Sequence, residues 1–65
     1  MVALLSLNDE ERDEMIADLK ATRAQRAAYA AALNRIFDKT YRAKLRLQVA
    51  ACDRWIAHYE RELAR

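Results

Sequence analysis

The chain has neither glycine nor proline among its 65 residues. Glycine supplies the positive φ angles that most tight turns, strand bulges and phosphate-binding loops require. Strong helix formers such as Ala, Leu, Arg, Glu and Lys dominate the composition instead. The chain is therefore predicted to be all-α, and the sequence argues against a β fold, a P-loop and a dinucleotide-binding turn.

The first half of the chain has the pattern of an amphipathic helix. Ser6 or Asn8 can cap its start, and Asn8 is followed three residues later by Glu11, a variant of the capping box. The core-facing positions are Met15, Ile16, Leu19, Thr22, Tyr29, Ala30, Leu33, Ile36 and Phe37. Most of them lie within a stripe about 100° wide, as expected for a helix that packs on one side. The pattern predicts helix 1 over about residues 8–36.

The second half has a cleaner heptad pattern, with apolar residues spaced 4-3-4-3-4. These residues are Leu45, Val49, Cys52, Ile56, Tyr59 and Leu63. They predict helix 2 over about residues 40–64, with Cys52 as a small buried side chain. In the intervening segment, Asn34 is expected to take a left-handed conformation, and Asp38 or Thr40 to cap helix 2. The turn is placed at about residues 37–40.

The expected architecture is one domain, residues 1–65, folded as a two-helix antiparallel hairpin. The alternative is one long coiled-coil helix, because apolar residues continue at four-residue steps through the turn region. A chain this short buries only about 60% of its unfolded surface. One cysteine cannot form an intrachain disulfide, so the hairpin is expected to dimerise into a four-helix bundle.

A second apolar strip on helix 2 lies off the heptad seam and consists of Leu47, Ala51 and Trp55. A two-helix hairpin cannot bury both the seam and this strip. The surplus apolar surface predicts either the interface with a second copy or a binding surface for a larger protein.

Two arginines of helix 1 are expected to lie near this apolar strip. Arg26 falls within the apolar stripe, and we expect it to pair with Asp53. Arg23 is expected to stack on Trp55, with the alternative that one of the two arginines is held for an acidic partner. Because Trp, Tyr and Arg commonly anchor interfaces, the predicted partner-binding residues are Leu47, Trp55, Tyr59, Arg23 and Arg26.

Four cations around the turn have a spacing that places them on one face if helix 2 extends that far. They are Arg35, Lys39, Arg42 and Arg46. The simplest interpretation is a solvated surface, and the functional one is a face that contacts nucleic-acid phosphates. No aromatic residue is expected among them, so stacking on single-stranded bases is not predicted.

Catalysis and metal binding have little support in this sequence. The chain has one His and one Cys, and its Ser and Thr hydroxyls have no base at motif spacing. His58, between Arg54 and Glu62, is expected to be exposed. We therefore expect no enzyme activity, no cofactor, no metal and no small-molecule substrate.

A cytoplasmic location is expected, in the host cytoplasm if the protein is viral. No segment approaches the roughly 20 apolar residues that a membrane span needs, so no membrane association is expected. Met1–Leu7 is apolar but lacks the basic start of a signal peptide.

In length, hairpin topology and heptad spacing, the chain is similar to the Rop family of plasmid regulators, whose helical hairpins dimerise into four-helix bundles. It also looks like small accessory proteins of phages and plasmids, some of which inhibit host proteins. The likeness includes no motif, so no family residue and no RNA binding is carried over.

The leading functional hypothesis is a small non-enzymatic regulator or inhibitor that occupies a surface of a larger protein. One alternative is a nucleic-acid-binding dimeric regulator that uses the four cations. The other is a structural assembly component of a virion or scaffold, which would form higher-order oligomers.

Overall fold

The computed structural model describes residues 8–65, which form two antiparallel helices packed side by side as a hairpin. Helix α1 is Asp9–Leu33 and helix α2 is Lys39–Leu63, each of 25 residues. The predicted all-α hairpin is confirmed for this range, and the alternative of one continuous helix is wrong. The apolar segment Met1–Leu7 lies outside the described residues.

Both helices begin at a side-chain cap that the sequence indicated. The Asn8 side chain accepts a hydrogen bond from the backbone N–H of Glu11 at 2.7 Å. The Asp38 side chain accepts one from the N–H of Tyr41 at 2.9 Å. Asp38 is thus the cap of α2, and Thr40, the other candidate, lies inside the helix. Each cap satisfies one of the N–H groups left unpaired at a helix start.

Helix α1 ends three residues before the predicted boundary, and the backbone conformation at its C-terminus differs from the predicted one. Asn34 has φ −77° and ψ −13°, so the predicted left-handed conformation is wrong. The N–H groups of Asn34 and Arg35 instead bond to the carbonyls of Ala31 and Ala32 at 3.1 and 3.0 Å, which tightens the last turn. No residue in the range 8–65 has a positive φ angle, so this turn needs no glycine.

A long side chain from α2 completes the end of α1. The Arg42 guanidinium donates hydrogen bonds to the backbone carbonyls of Leu33 and Ile36, the second at 2.9 Å. Carbonyls at the end of a helix have no partner within it, and a cation there also offsets the negative end of the helix dipole. Arg42 therefore caps the carbonyl of Leu33, the last residue of α1, from the neighbouring helix.

The core of the hairpin is thin. Leu19, Leu45 and Cys52 are the only buried apolar side chains in the described part of the chain. The other seam residues of α2, among them Val49 and Ile56, are half-buried. The heptad seam and the buried Cys52 are therefore confirmed.

Two residues assigned to the core-facing stripe of helix 1 are exposed instead. Phe37 is 88% exposed because the chain has left the helix before it, and Ile16 is about half exposed. The described hairpin thus leaves much of its apolar surface in contact with water.

The Asp38 cap offers a direct test of the turn. Asp38→Ala should lower the free energy of unfolding by about 1 kcal/mol, because the Tyr41 N–H loses its acceptor. Asp38→Asn is the matched control, and it should retain most of the stability since Asn caps as well as Asp. Urea unfolding followed by far-UV circular dichroism measures both. Equal losses for the two variants would mean that the charge of Asp38, and not its capping bond, matters.

Candidate protein-interaction site

One side of the hairpin is held by two ion pairs between the helices. Arg26 Nε lies 2.5 Å from Asp53 Oδ1, and Arg23 Nη2 lies 2.7 Å from Glu60 Oε2. The predicted Arg26–Asp53 pair is confirmed, whereas the predicted stack of Arg23 on Trp55 is wrong because Arg23 pairs with Glu60. The hydrogen bond from Arg26 to Asp53, reinforced by their opposite charges, raises the pKa of Arg26.

These pairs are solvated, since about half of each side chain is exposed. Exposed ion pairs contribute little to stability, and their clearer effect here is to fix which residues of α1 and α2 face each other. We call this side of the hairpin the ion-pair flank.

The opposite side of the hairpin carries a groove between the helices. At about 100° per residue, Trp55 lies roughly 160° around α2 from Asp53, and so faces away from the ion-pair flank. The groove has a volume of about 320 Å³. Its lining is Thr22 and Gln25 from α1, with Gln48, Ala51, Cys52, Trp55 and Tyr59 from α2. We call it the aromatic groove.

Three ring side chains of α2 lie in contact at this groove. Trp55 and Tyr59 line it, and His58 lies against both of them. Trp55 stacks on Tyr59 with ring centroids 5.8 Å apart and an angle of 30° between the rings. His58 meets the edge of Trp55 at 5.7 Å and lies 5.7 Å from Tyr59. His58 is half-buried, so the expectation that it is exposed is wrong. Such contacts hold the Trp55 side chain in place although 56% of it is exposed.

The apolar strip extends the groove along the outer face of α2. Leu47 is 71% exposed and lies two turns before Trp55, with Ala51 between them. The predicted surplus of apolar surface is thus present in the hairpin.

The lining of the aromatic groove has no charged side chain, so it offers apolar and aromatic surface with amide and hydroxyl groups at the rim. Such a surface suits the apolar face of a protein segment better than a charged ligand.

The structure separates the five predicted partner-binding residues into two groups. Leu47, Trp55 and Tyr59 belong to the strip and the aromatic groove, whereas Arg23 and Arg26 lie on the ion-pair flank with carboxylate partners. The polar rim of Thr22, Gln25 and Gln48 was not among the predicted site residues. Thr22 had been assigned to the core-facing stripe of helix 1, and the two glutamines are uncharged polar residues beside the apolar positions of their helices.

The four predicted phosphate-contacting cations are only partly brought together. Lys39, Arg42 and Arg46 line a second concavity of about 440 Å³ at the hairpin turn, and Arg35 is not among its lining residues. Phe37 completes the lining, so the expectation that no aromatic residue lies among the cations is wrong. We call this concavity the turn pocket.

Residues 8–65 bring together no group of three or more His, Cys, Asp or Glu side chains able to hold a metal ion. Within the same range, neither helix has a stretch both long and apolar enough to cross a bilayer.

Comparisons of the chain with models of protein families, with curated proteins and with solved structures each find no match. A functional proposal therefore has to follow from the surfaces themselves.

Proposed function

We propose that the protein is a small non-enzymatic regulator or inhibitor that acts by occupying a surface of a larger protein. The observation that carries the proposal is the exposed apolar strip of Leu47, Ala51 and Trp55, which continues into the aromatic groove. Both lie on one side of the hairpin, so a partner can contact them together.

The composition of this surface favours a protein partner. Trp and Tyr are enriched among the residues that dominate binding energies at interfaces. Contacts with Tyr59 and His58 already fix the Trp55 ring, so less side-chain entropy is lost when a partner covers it. The amides of Gln25 and Gln48 at the rim provide hydrogen bonds around the apolar centre.

Arg23 and Arg26 have a secondary place in this proposal. Their guanidinium groups are paired with Glu60 and Asp53 on the other flank, so an acidic partner would have to displace those carboxylates. We therefore centre the binding site on Leu47, Trp55 and Tyr59.

A second copy of the chain is the other candidate occupant of the strip. Two hairpins that pair through Leu47 and Trp55 would form the four-helix bundle expected from the short chain and thin core. Whether the strip serves a partner or a second copy is decided by separate measurements on the same variants.

The proposal is tested by affinity capture with the tagged full chain from nuclease-treated lysate, at about 0.5 M salt to screen charge contacts. A single stoichiometric partner should be retained by the wild-type chain and lost with Leu47→Glu. Trp55→Ala should weaken its binding by about 30-fold or more, as expected for an interface anchor. Phe37→Ala is the matched control, because Phe37 is an exposed aromatic residue that lies between the helices, outside both the strip and the aromatic groove.

Sedimentation equilibrium of the same variants distinguishes the occupants. Retention of the partner by all variants would contradict the proposed site. If Leu47→Glu converted a dimer to a monomer and no variant captured a stoichiometric protein, the strip would be a dimer interface, and the regulator proposal would fail at this surface.

A further inference from the structure

The two ends of the hairpin carry opposite charge. Residues 19–52, which form the turn half of the molecule, contain eight Lys or Arg residues and a single acidic residue, Asp38. Residues 8–18 and 53–65 contain nine acidic and four basic residues. Because the helices are antiparallel, these last two segments lie together at the open end. The turn end is therefore strongly positive, and its field attracts polyanions.

The turn pocket lies within this positive end. Arg42 is held in place by two backbone carbonyls, while Lys39 and Arg46 lie about one turn before and after it on α2. No carboxylate is among the lining residues, and the Asp38 carboxylate is engaged by the Tyr41 N–H. The pocket thus has cationic walls, with Lys39 and Arg46 on either side of the anchored Arg42.

Phe37 gives the pocket an aromatic surface. It is the most exposed of the large apolar side chains in the described range, at 88%. Phe37 lies in the short segment between the helices and lines a concavity whose other lining residues are all cations. An exposed ring beside cations matches the combination by which proteins hold single-stranded nucleic acid: a stacking surface and a phosphate site.

We propose that the turn pocket binds one nucleotide unit of a single-stranded nucleic acid, with the base stacked on Phe37 and the phosphate held by Lys39 and Arg46. Its volume of about 440 Å³ lies within the range of small-ligand sites, about 300–1,000 Å³. Bases of a duplex are paired and stacked, so they offer Phe37 no free face. The turn pocket shares no lining residue with the aromatic groove, which lies further along α2.

The test uses the full chain and a labelled oligothymidylate single strand, with a duplex of equal length beside it, in fluorescence anisotropy at about 50 mM salt. The single strand should bind more tightly than the duplex. Phe37→Ala should weaken single-strand binding by about tenfold, the order expected when one base loses its stacking partner. Phe37→Trp should retain the affinity.

The cations are tested by the salt dependence of the same binding. Lys39→Gln and Arg46→Gln should each weaken binding and each reduce the slope of log affinity against log salt by about 0.7. Arg54→Gln, an equal charge change on an exposed residue of the acidic end, should leave binding unchanged. Arg42 is not substituted in this test, because its hydrogen bonds to the carbonyls of Leu33 and Ile36 also stabilise the turn.

Trp55→Ala should also leave the oligonucleotide affinity unchanged, because Trp55 carries no charge and does not line the turn pocket, so that failure of this proposal and failure of the protein-binding proposal are told apart. Three results would overturn the inference: no detectable single-strand binding, equal affinity of wild type and Phe37→Ala, or equal affinity for single strand and duplex. Binding to vesicles rich in phosphatidylserine without binding to the oligonucleotide would assign the positive end to a membrane surface instead.

Discussion

Leu45→Ala should lower the free energy of unfolding by about 2–5 kcal/mol, the usual effect of truncating a buried leucine. Leu45 is 5% exposed and is one of three buried apolar side chains in residues 8–65. Because a chain of this size has a small total stability, the change should lower the melting temperature by about 10–30 °C. Alanine has the higher helix propensity, so any loss reports on packing between the helices.

Leu47→Ala is the matched control, two residues along the same helix. Leu47 is 71% exposed, so its truncation should change the stability of the hairpin by less than about 0.5 kcal/mol. Thermal unfolding by far-UV circular dichroism at several protein concentrations compares the two variants. If Leu47→Ala had an equal effect, independent of concentration, the core would not lie where Leu45 and Cys52 place it.

Concentration dependence gives the same experiment a second use. A dimer that pairs through Leu47 would melt at a temperature that rises with protein concentration, because mass action favours the associated folded state. Leu47→Ala would then reduce this dependence, whereas Leu45→Ala would lower the melting temperature at every concentration. Comparison of the two variants thus distinguishes packing inside the hairpin from packing between two copies of it.

The parts of the fold that follow from local sequence were predictable. The spacing of Leu45 and Cys52 identified the inward face of α2, since residues three and four apart share one side of a helix. Asp38 was a candidate cap because its short side-chain carboxylate can accept the free N–H groups of a helix start. Both inferences need only residues that are near one another in the chain.

The end of α1 could not be predicted from the same local signals. The carbonyl of Leu33, its last residue, accepts a hydrogen bond from Arg42, which follows Leu33 by nine residues and belongs to the next helix. The sequence analysis instead looked for a left-handed residue at Asn34 because that is the common local solution. Once the helix ended early, Phe37 was released from the apolar stripe and became the exposed ring of the turn pocket.

The separation of the predicted site residues onto two sides of the hairpin could not be predicted from the sequence either. Arg23 lies at the edge of the apolar stripe of helix 1, where a small rotation decides which side of the hairpin it faces. Glu60 and Trp55 are both within its reach in the expected antiparallel register, and the structure selects Glu60. Opposite charge and a hydrogen bond to a carboxylate give Arg23 a better partner than the face of an exposed ring.

Arg42→Gln should lower the free energy of unfolding by about 1–3 kcal/mol, because the partly buried carbonyls of Leu33 and Ile36 lose their charged donor. Arg46→Gln is the matched control: it removes the same charge one turn further along α2, from an exposed side chain. Its effect on stability should stay within about 0.5 kcal/mol. Equal losses in urea unfolding would mean that the positive charge of the turn matters more than the hydrogen bonds of Arg42.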